Sequence, residues 1–291
     1  MYPSRFRYEA PRSIEDAIEL LHSGNGEAKV LAGGQSLVPL LKLRFAGPEL
    51  LVDINALPGL DYHRADSDGT IHVGALCRHG ELERSVLLAE RQPTMAAVVP
   101  LVADPIVRTR GTLVGSLCHA DPQGDWAAVV TALGGHVVVR GPAGTRTIPI
   151  GEFVTGPFQN ALSYDEIAIE AVIPAPQGIP GGGYHKLERR IGDFATAGAA
   201  VALDTVDGVV RRAGIALTGV GGATINAAEA ADALAGRPLS RESIESAARL
   251  AADAAQPKSD HRGSADYKRH IIGVFVDRIL TRELDPTVRA A

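Results

Sequence analysis

Apolar residues recur at helical spacing early in the chain, where Ile14, Ala17, Ile18, Leu20 and Leu21 form a stripe behind Ser13-Ile14-Glu15-Asp16. The pattern predicts a helix capped by Ser13, with Asp16 placed for the reciprocal bond. Lys29-Val30-Leu31 predicts a short strand, Leu37, Leu40 and Leu41 a short helix from Ser36 to Leu43, and Leu50 to Ile54 a buried strand. Together these form a first lobe over residues 1–55. From Leu57 the pattern changes. Thr70 to Ala75 alternates as a strand does, Gly80 to Leu88 and Thr94 to Val102 read as helices, and a further helix runs from about Asp125 to Leu133. His136 to Arg140 and Thr145 to Ile150 frame Gly141-Pro142-Ala143-Gly144 as a hairpin, and Ile167 to Ile173 is another strand. Residues 56–177 therefore read as a second, mixed lobe.

Pro174-Ala175-Pro176-Gln177-Gly178-Ile179-Pro180-Gly181-Gly182-Gly183 has the composition of a linker. Strands at about 184–190, 195–204 and 209–218 follow it, then helices at about 226–235, 240–255 and 264–283. That order predicts a separate α+β domain over residues 178–291, with helices packed on an antiparallel sheet. In its last helix, Tyr267, Ile271, Val274, Phe275 and Ile279 are expected on the core-facing stripe, and Lys268-Arg269 on a solvated face.

Two glycine-rich turns break this patterning where strand-like runs give way to apolar, helix-like ones. The first is Ala32-Gly33-Gly34-Gln35-Ser36. The second is Gly111-Thr112-Leu113-Val114-Gly115-Ser116, which runs into Ala120-Asp121-Pro122-Gln123-Gly124-Asp125. Glycine lets backbone approach a ligand closely, and successive N–H groups can converge on a phosphate. Either turn alone is equally a tight turn and nothing more. The pair points to a dinucleotide diphosphate held on the N–H groups of Gly33, Gly34 and Gln35 and the Ser36 hydroxyl, with little cationic help. Thr112 and Ser116 offer further hydroxyls. Asp121 and Asp125 offer carboxylates for sugar or ribityl hydroxyls, or serve as helix caps.

Composition narrows the chemistry. A net charge of −5 leaves no basic footprint for nucleic acid. The start lacks the apolar stretch of a secretory signal and no run is long enough to span a bilayer, so a cytoplasmic location is expected. The chain has only two cysteines, Cys77 and Cys118, too few for an iron–sulfur cluster, and both read as small buried hydrophobes. Gly-x-Gly-x-x-Gly, a phosphate-binding Gly-Lys-Ser/Thr, Gly-x-Ser-x-Gly and His-Glu-x-x-His are all missing, which argues against Rossmann, P-loop, serine-hydrolase and zinc-protease sites. The nine histidines are scattered, with no nucleophile or acid beside them, so no catalytic residue is expected.

The two turns and their spacing, with Tyr184-His185-Lys186 and Arg189-Arg190-Ile191-Gly192-Asp193-Phe194-Ala195, resemble the FAD-binding medium subunit of the molybdenum hydroxylases. This is the family of carbon monoxide dehydrogenase and bacterial xanthine dehydrogenase-type enzymes. The resemblance implies an α+β chain, a two-lobed FAD-binding domain of the PCMH/vanillyl-alcohol-oxidase type followed by a C-terminal α+β domain. It implies that Ala32, Gly33, Gly34, Gln35, Ser36 and Leu37 cradle the FAD diphosphate together with Thr112, Leu113, Val114, Gly115 and Ser116, with Asp125 as the downstream acid. It carries Ile169 and Lys186 as flavin-proximal positions, although Lys186 also reads as a solvated surface lysine. Val114 and Thr109 depart from the family, which usually has Gly-Gly at 114–115 and often Asn at 109. In such an assembly a large subunit holds the molybdenum cofactor and a small one holds two iron–sulfur clusters. The flavin subunit passes electrons to an external acceptor within a dimer of heterotrimers. A self-contained FAD oxidoreductase and a flavin-free structural subunit are the alternatives.

Overall fold

A computed structural model describes residues 2–284. The first lobe is β1 (Arg7–Glu9), α1 (Ile14–Ser23), β2 (Ala28–Leu31), α2 (Leu37–Leu43) and β3 (Leu50–Asp53). Its sheet has the order β1-β3-β2, with both pairs parallel. The strand β1, too short to alternate visibly, is the element the hydrophobic pattern missed. The Ser13 hydroxyl accepts from the Asp16 N–H at 3.1 Å, which starts α1, and Ala17, Ile18 and Leu21 are buried against β2 and β3. Among the described residues the reciprocal bond from the Asp16 side chain does not form.

The second lobe runs through β4 (His63–Ala65), β5 (Ile71–Gly74), α3 (His79–Glu83), α4 (Val86–Arg91), α5 (Pro93–Val98), α6 (Pro105–Arg108), α7 (Leu113–His119) and α8 (Asp125–Ala132). It continues with β6 (His136–Gly141), β7 (Gly144–Pro149), α9 (Ile150–Phe153), β8 (Val154–Gly156), β9 (Gln159–Asn160) and β10 (Ile167–Ile173). Strands β4-β5-β10-β6-β7 form an antiparallel sheet whose central strand is β10. One face of this sheet is covered by α7 and α8 around Trp126, Leu113 and Leu117, all 0 % exposed. The helix expected over Gly80 to Leu88 is two helices, because Ser85 caps a new start at Val86.

The C-terminal domain comprises β11 (Ile179–Leu187), β12 (Ala197–Val206), β13 (Val209–Thr218), β14 (Ile225–Asn226), α10 (Ala228–Asp232), α11 (Arg241–Ala254) and α12 (Ala265–Leu284). Here the expected linker shrinks to residues 174–178. Ile179 to Gly183 already pair with β12, from Ile179 opposite Thr205 onward. Gly182 serves close packing rather than flexibility: it has φ +112°, and a Cβ there would lie 2.1 Å from the Val201 carbonyl oxygen.

Nor does the domain stand apart. Alternate residues of β12 face opposite layers, with Ala197, Ala199, Val201 and Leu203 packed under α11 and α12. Ala200 and Ala202 join the core of the second lobe, together with Tyr184 and Ala216. Small side chains on both faces let helices close on the sheet from two sides. In α12 the buried stripe is Ile272, Phe275, Val276, Ile279 and Leu280, rotated from the expected one, and Tyr267 is 45 % exposed. Lys268 is buried instead of solvated, because its ammonium reaches Asp260 at 2.7 Å and the Lys258 carbonyl at 3.0 Å.

The tightest contact between the layers is at Gly214 of β13, where a Cβ would lie 1.9 Å from the Ala132 carbonyl oxygen of α8. Gly214→Ala should cost about 1–3 kcal/mol by forcing these elements apart, read as a drop in Tm of several degrees by calorimetry. An unchanged Tm would show that the two layers can separate without penalty.

Candidate functional site

The first glycine turn leaves the end of β2 and enters α2. Gly34 has φ +74°, a conformation side chains rarely adopt. Gly33 is glycine for another reason: a Cβ there would lie 2.2 Å from the Arg110 carbonyl oxygen and 2.9 Å from Gly111 Cα. The first turn is therefore pressed directly onto the start of the second motif. Among the described residues, no group accepts from the backbone N–H of Gly33, Gly34, Gln35 or Ser36. The Ser36 hydroxyl makes no capping bond either. Unpaired donors in succession make a concave anion site. They open on a cleft of about 580 Å³ lined by Gln35, Val38, Lys42, Asp53, Asn55 and Arg110 among others.

Polar side chains fasten this turn from behind. Arg78 donates to the Arg110 carbonyl at 2.8 Å and to Asn55 Oδ1 at 2.6 Å, while Asn55 Nδ2 donates to the Ala32 carbonyl at 2.9 Å. Asn55 is held in turn by Asp53, whose Oδ1 accepts its N–H at 2.8 Å. Burial works to raise the Asp53 carboxyl. Donation from Tyr8 and Asn55 and the nearby Arg110 charge outweigh it, leaving the group below its ordinary range. Asn55, Arg78, Arg110 and Lys42 were not anticipated as site residues. Their signals were Asp53-x-Asn55 at the end of a buried strand and the cations of Arg108-Thr109-Arg110 just before the second motif. Arg110 and Lys42 also correct the expectation of little cationic help.

The second motif is not a loop. Thr112 caps α7, its hydroxyl accepting from the Gly115 N–H at 3.0 Å, and a Cβ on Gly115 would lie 2.8 Å from that oxygen. Gly115 is thus required by the cap. The side chains of Leu113 and Val114 enter the core, at 0 % and 2 % exposure, which leaves their backbone alone for a ligand. Ser116, one position on, is half-buried. Beneath the motif His79 donates its N–H to the Gly111 carbonyl at 2.9 Å, and its Nδ1 accepts from Trp126 Nε1 at 3.2 Å. Burial, then the charges of Arg108 and Arg78, push His79 down from 6.5 to about 4.

The remaining expected residues fall in three places. Asp121 makes a local turn, accepting from the Gln123 N–H at 2.8 Å. Asp125 and Lys186 lie together and buried. The ammonium is 3.3 Å from Asp125 Oδ2 and 3.2 Å from Glu188, and donates to the carbonyls of Leu101 at 2.6 Å and Asp193 at 3.0 Å. Tyr184 donates to Asp125 Oδ1 at 2.5 Å. Burial pushes the Asp125 carboxyl up, and Lys186 and Tyr184 pull it part of the way back. With its side chain 1 % exposed, Lys186 is not a surface lysine, and Asp125 sits inside α8 with Gly124 at the cap position. Ile169 lines a second cleft of about 430 Å³ between the lobes, with Arg12, Glu15, Leu60 and Arg140. Cys118 packs against the core of the second lobe, and burial pushes its thiol up to about 12.

Residues 4–176 match the family model for the FAD-binding domain in molybdopterin dehydrogenase, and residues 183–282 match that for the CO dehydrogenase flavoprotein C-terminal domain. The chain belongs to this family. It is an FAD-binding medium subunit of the molybdenum hydroxylases. The carbon monoxide dehydrogenase medium chain of Hydrogenophaga pseudoflava is 39 % identical over 96 % of this chain and 97 % of its own length. The 6-hydroxypseudooxynicotine dehydrogenase complex subunit alpha of Paenarthrobacter nicotinovorans is 38 % identical over 98 % of this chain and 96 % of its own. Among solved structures, the H. pseudoflava carbon monoxide dehydrogenase lacking the Mo-pyranopterin moiety superposes with a TM-score of 0.92 at 40 % identity, covering 97 % of this chain and 98 % of that one. FAD is the cofactor of this flavin subunit. The unpaired N–H groups, the free Ser36 hydroxyl and the cations at the rim suit its diphosphate.

His79 gives the site a pH signature. Its pKa is depressed by folding, so below 6.5 the unfolded chain takes up a proton that the folded chain refuses. Stability should therefore fall as pH drops from 6.5 to 4, by about 3 kcal/mol from this group. His79→Gln should lose that part of the slope in Tm measured against pH. Parallel curves for the two proteins would show that His79 titrates normally.

Proposed function

We propose that the Gly33–Ser36 turn holds the FAD diphosphate, with Arg110 and Lys42 supplying positive charge at the rim of the cleft. The observation that carries this reading is the run of unpaired N–H groups beside a cleft rimmed by Lys42 and Arg110, in a turn that the second motif locks in place. Bound FAD would supply redox chemistry in one- or two-electron steps, which is what an electron-relay subunit needs. The chain's own residues bind, orient and bury. The Gln35 side chain folds back on the Gly33 carbonyl at 3.3 Å, and Arg78 and Asn55 fix the carbonyls on either side of the contact between the turns. Thr112 and Gly115 fix the start of α7 against the same contact. Asp125 and Lys186 form the charged floor through which the C-terminal sheet joins the flavin domain. Their nearness to the flavin is supported by the family resemblance.

The function follows from the family and the site together. The chain is the FAD-carrying electron-transfer subunit of a molybdenum hydroxylase, and an oxidoreductase component in that sense. Its partners are a large molybdenum-cofactor subunit and a small iron–sulfur subunit. A dimer of such heterotrimers in the cytoplasm is the assembly we favour; among the described residues no helix is long and apolar enough to cross a membrane.

Gly33→Ala and Arg78→Ala test the cradle by two routes, one prising the turns apart and the other cutting their shared polar tie. Each should weaken FAD binding at least about tenfold, the equivalent of roughly 1.4 kcal/mol, and Arg78→Lys should recover little because an ammonium lacks the fork that holds two acceptors. The readout is FAD per folded chain by visible absorption, followed by titration of the flavin-free protein. Full retention in both alanine variants would move the diphosphate to another part of the molecule.

A further inference from the structure

A second group of ligating atoms lies behind the cradle and is not used by it. One carboxylate oxygen each of Asp61 and Glu81 and the Cys77 sulfur lie within 4.8 Å of one another. The sulfur is 3.7 Å from Glu81 Oε2 and 3.7 Å from His63 Nδ1. These side chains come from separate places: the turn before β4, β4 itself, the segment after β5, and α3. Cys77 is fully buried, and among the described residues its sulfur contacts Glu81 and His63. Among the described residues neither Asp61 nor Glu81 has a lysine, arginine or histidine within ion-pair distance. Two carboxylates and a thiol thus converge, with the His63 imidazole against the sulfur and Arg78 the nearby positive charge.

The separation of the Cys77 sulfur from the Glu81 oxygen, 3.7 Å, is close to that of two ligands on one ion. Zinc bonds of about 2.3 Å to sulfur and about 2.0 Å to nitrogen or oxygen, set at tetrahedral angles, put the sulfur about 3.5 Å from each neighbouring ligand atom. We propose that Asp61, Cys77 and Glu81 form a binding site for a divalent transition-metal ion of the zinc type, with solvent completing its coordination. Sulfur beside carboxylate selects zinc or cobalt over magnesium or calcium. Binding releases the thiol proton to solvent and leaves the metal oxidation state unchanged. Asp61 is exposed and gives the ion a way in, while Cys77 anchors it from the core. Arg78, next in sequence, feels both carboxylates. The site therefore sits directly behind the residue that ties the two turns together.

Cobalt(II) chloride is the probe, titrated into the full chain carrying FAD and followed by difference absorption. One cobalt per chain should bind with a near-ultraviolet thiolate-to-cobalt charge-transfer band and the intense visible bands of a tetrahedral ion, all abolished by one equivalent of zinc. Cys77→Ser should lose the charge-transfer band and bind zinc at least tenfold more weakly against a chromophoric chelator. Glu81→Gln should keep the band and bind zinc more weakly. Cobalt saturation without that band, or equal zinc affinity in the wild type and Glu81→Gln, would overturn the site. Should Cys77→Ser fail to fold by circular dichroism, the wild-type band and Glu81→Gln decide the matter.

Discussion

There is no room for a side chain between Gly33 and the Arg110 carbonyl, and the rest of the site depends on that contact. The first lobe carries only a three-stranded parallel sheet and a small core of its own. A turn on so small a unit would present its N–H groups in no fixed direction. Pressed against Arg110-Gly111, it takes its orientation from the larger second lobe. Arg78 and Asn55 make the contact specific by binding the Arg110 and Ala32 carbonyls through one shared bond, so neither turn can move without breaking polar partners of the other. Such bonds involving a charged donor are stronger than neutral ones, and a buried acceptor left without its donor is costly.

A different interaction binds the C-terminal sheet to the same region. Tyr184 and Lys186, two residues apart on β11, both reach Asp125 at the start of α8. Burying charges is expensive, and a buried ion pair rarely repays its desolvation against an apolar alternative. Packing alone could seat β11 on the helix layer, as Ala200, Ala202 and Ala216 show. What the pair adds is register. Only one alignment of β11 against α8 satisfies the carboxylate from two sides, while the carbonyls of Leu101 and Asp193 occupy the remaining ammonium protons. The C-terminal domain is thereby a wall of the flavin domain, and not an appendage to it.

Most of the helices and strands were legible because their periodicity was strong, as in α1, α11, β10 and the β6–β7 hairpin. Errors cluster where glycine and proline carry packing information that composition alone cannot express. The stretch Ile179 to Gly183 reads as linker, yet at Gly182 the Val201 carbonyl comes too close for a Cβ. The second glycine motif reads as a loop, yet Thr112 caps a helix and Gly115 makes space for the cap. The first turn was recognised for a reason that holds only in part: Gly34 is set by its φ angle, but Gly33 is set by a neighbour more than seventy residues away. Long-range polar partners were the least legible of all. Nothing local to Asn55, Arg78 or Lys186 says that the first two meet or that the third is buried.

Val114 shows why a backbone cradle tolerates such variation. Where the family usually has a second glycine, a valine suggests a blocked cleft and hence a subunit without flavin. The side chain is instead 2 % exposed and belongs to the core beneath the sheet, with Leu113 and Leu117. It lies on α7, whose first turn is directed by the Thr112 cap, so its Cβ points to the interior whatever residue stands there. A glycine at that position would cost helix stability and leave a void of three methyl-sized groups. In the proposed cradle the donors are main-chain groups at Gly33 to Ser36, and the Val114 side chain is buried in the core instead. A site made of backbone is constrained where a Cβ would collide, at Gly33, and free where the side chain is directed elsewhere. The one departure that favoured a flavin-free subunit is therefore no argument for it.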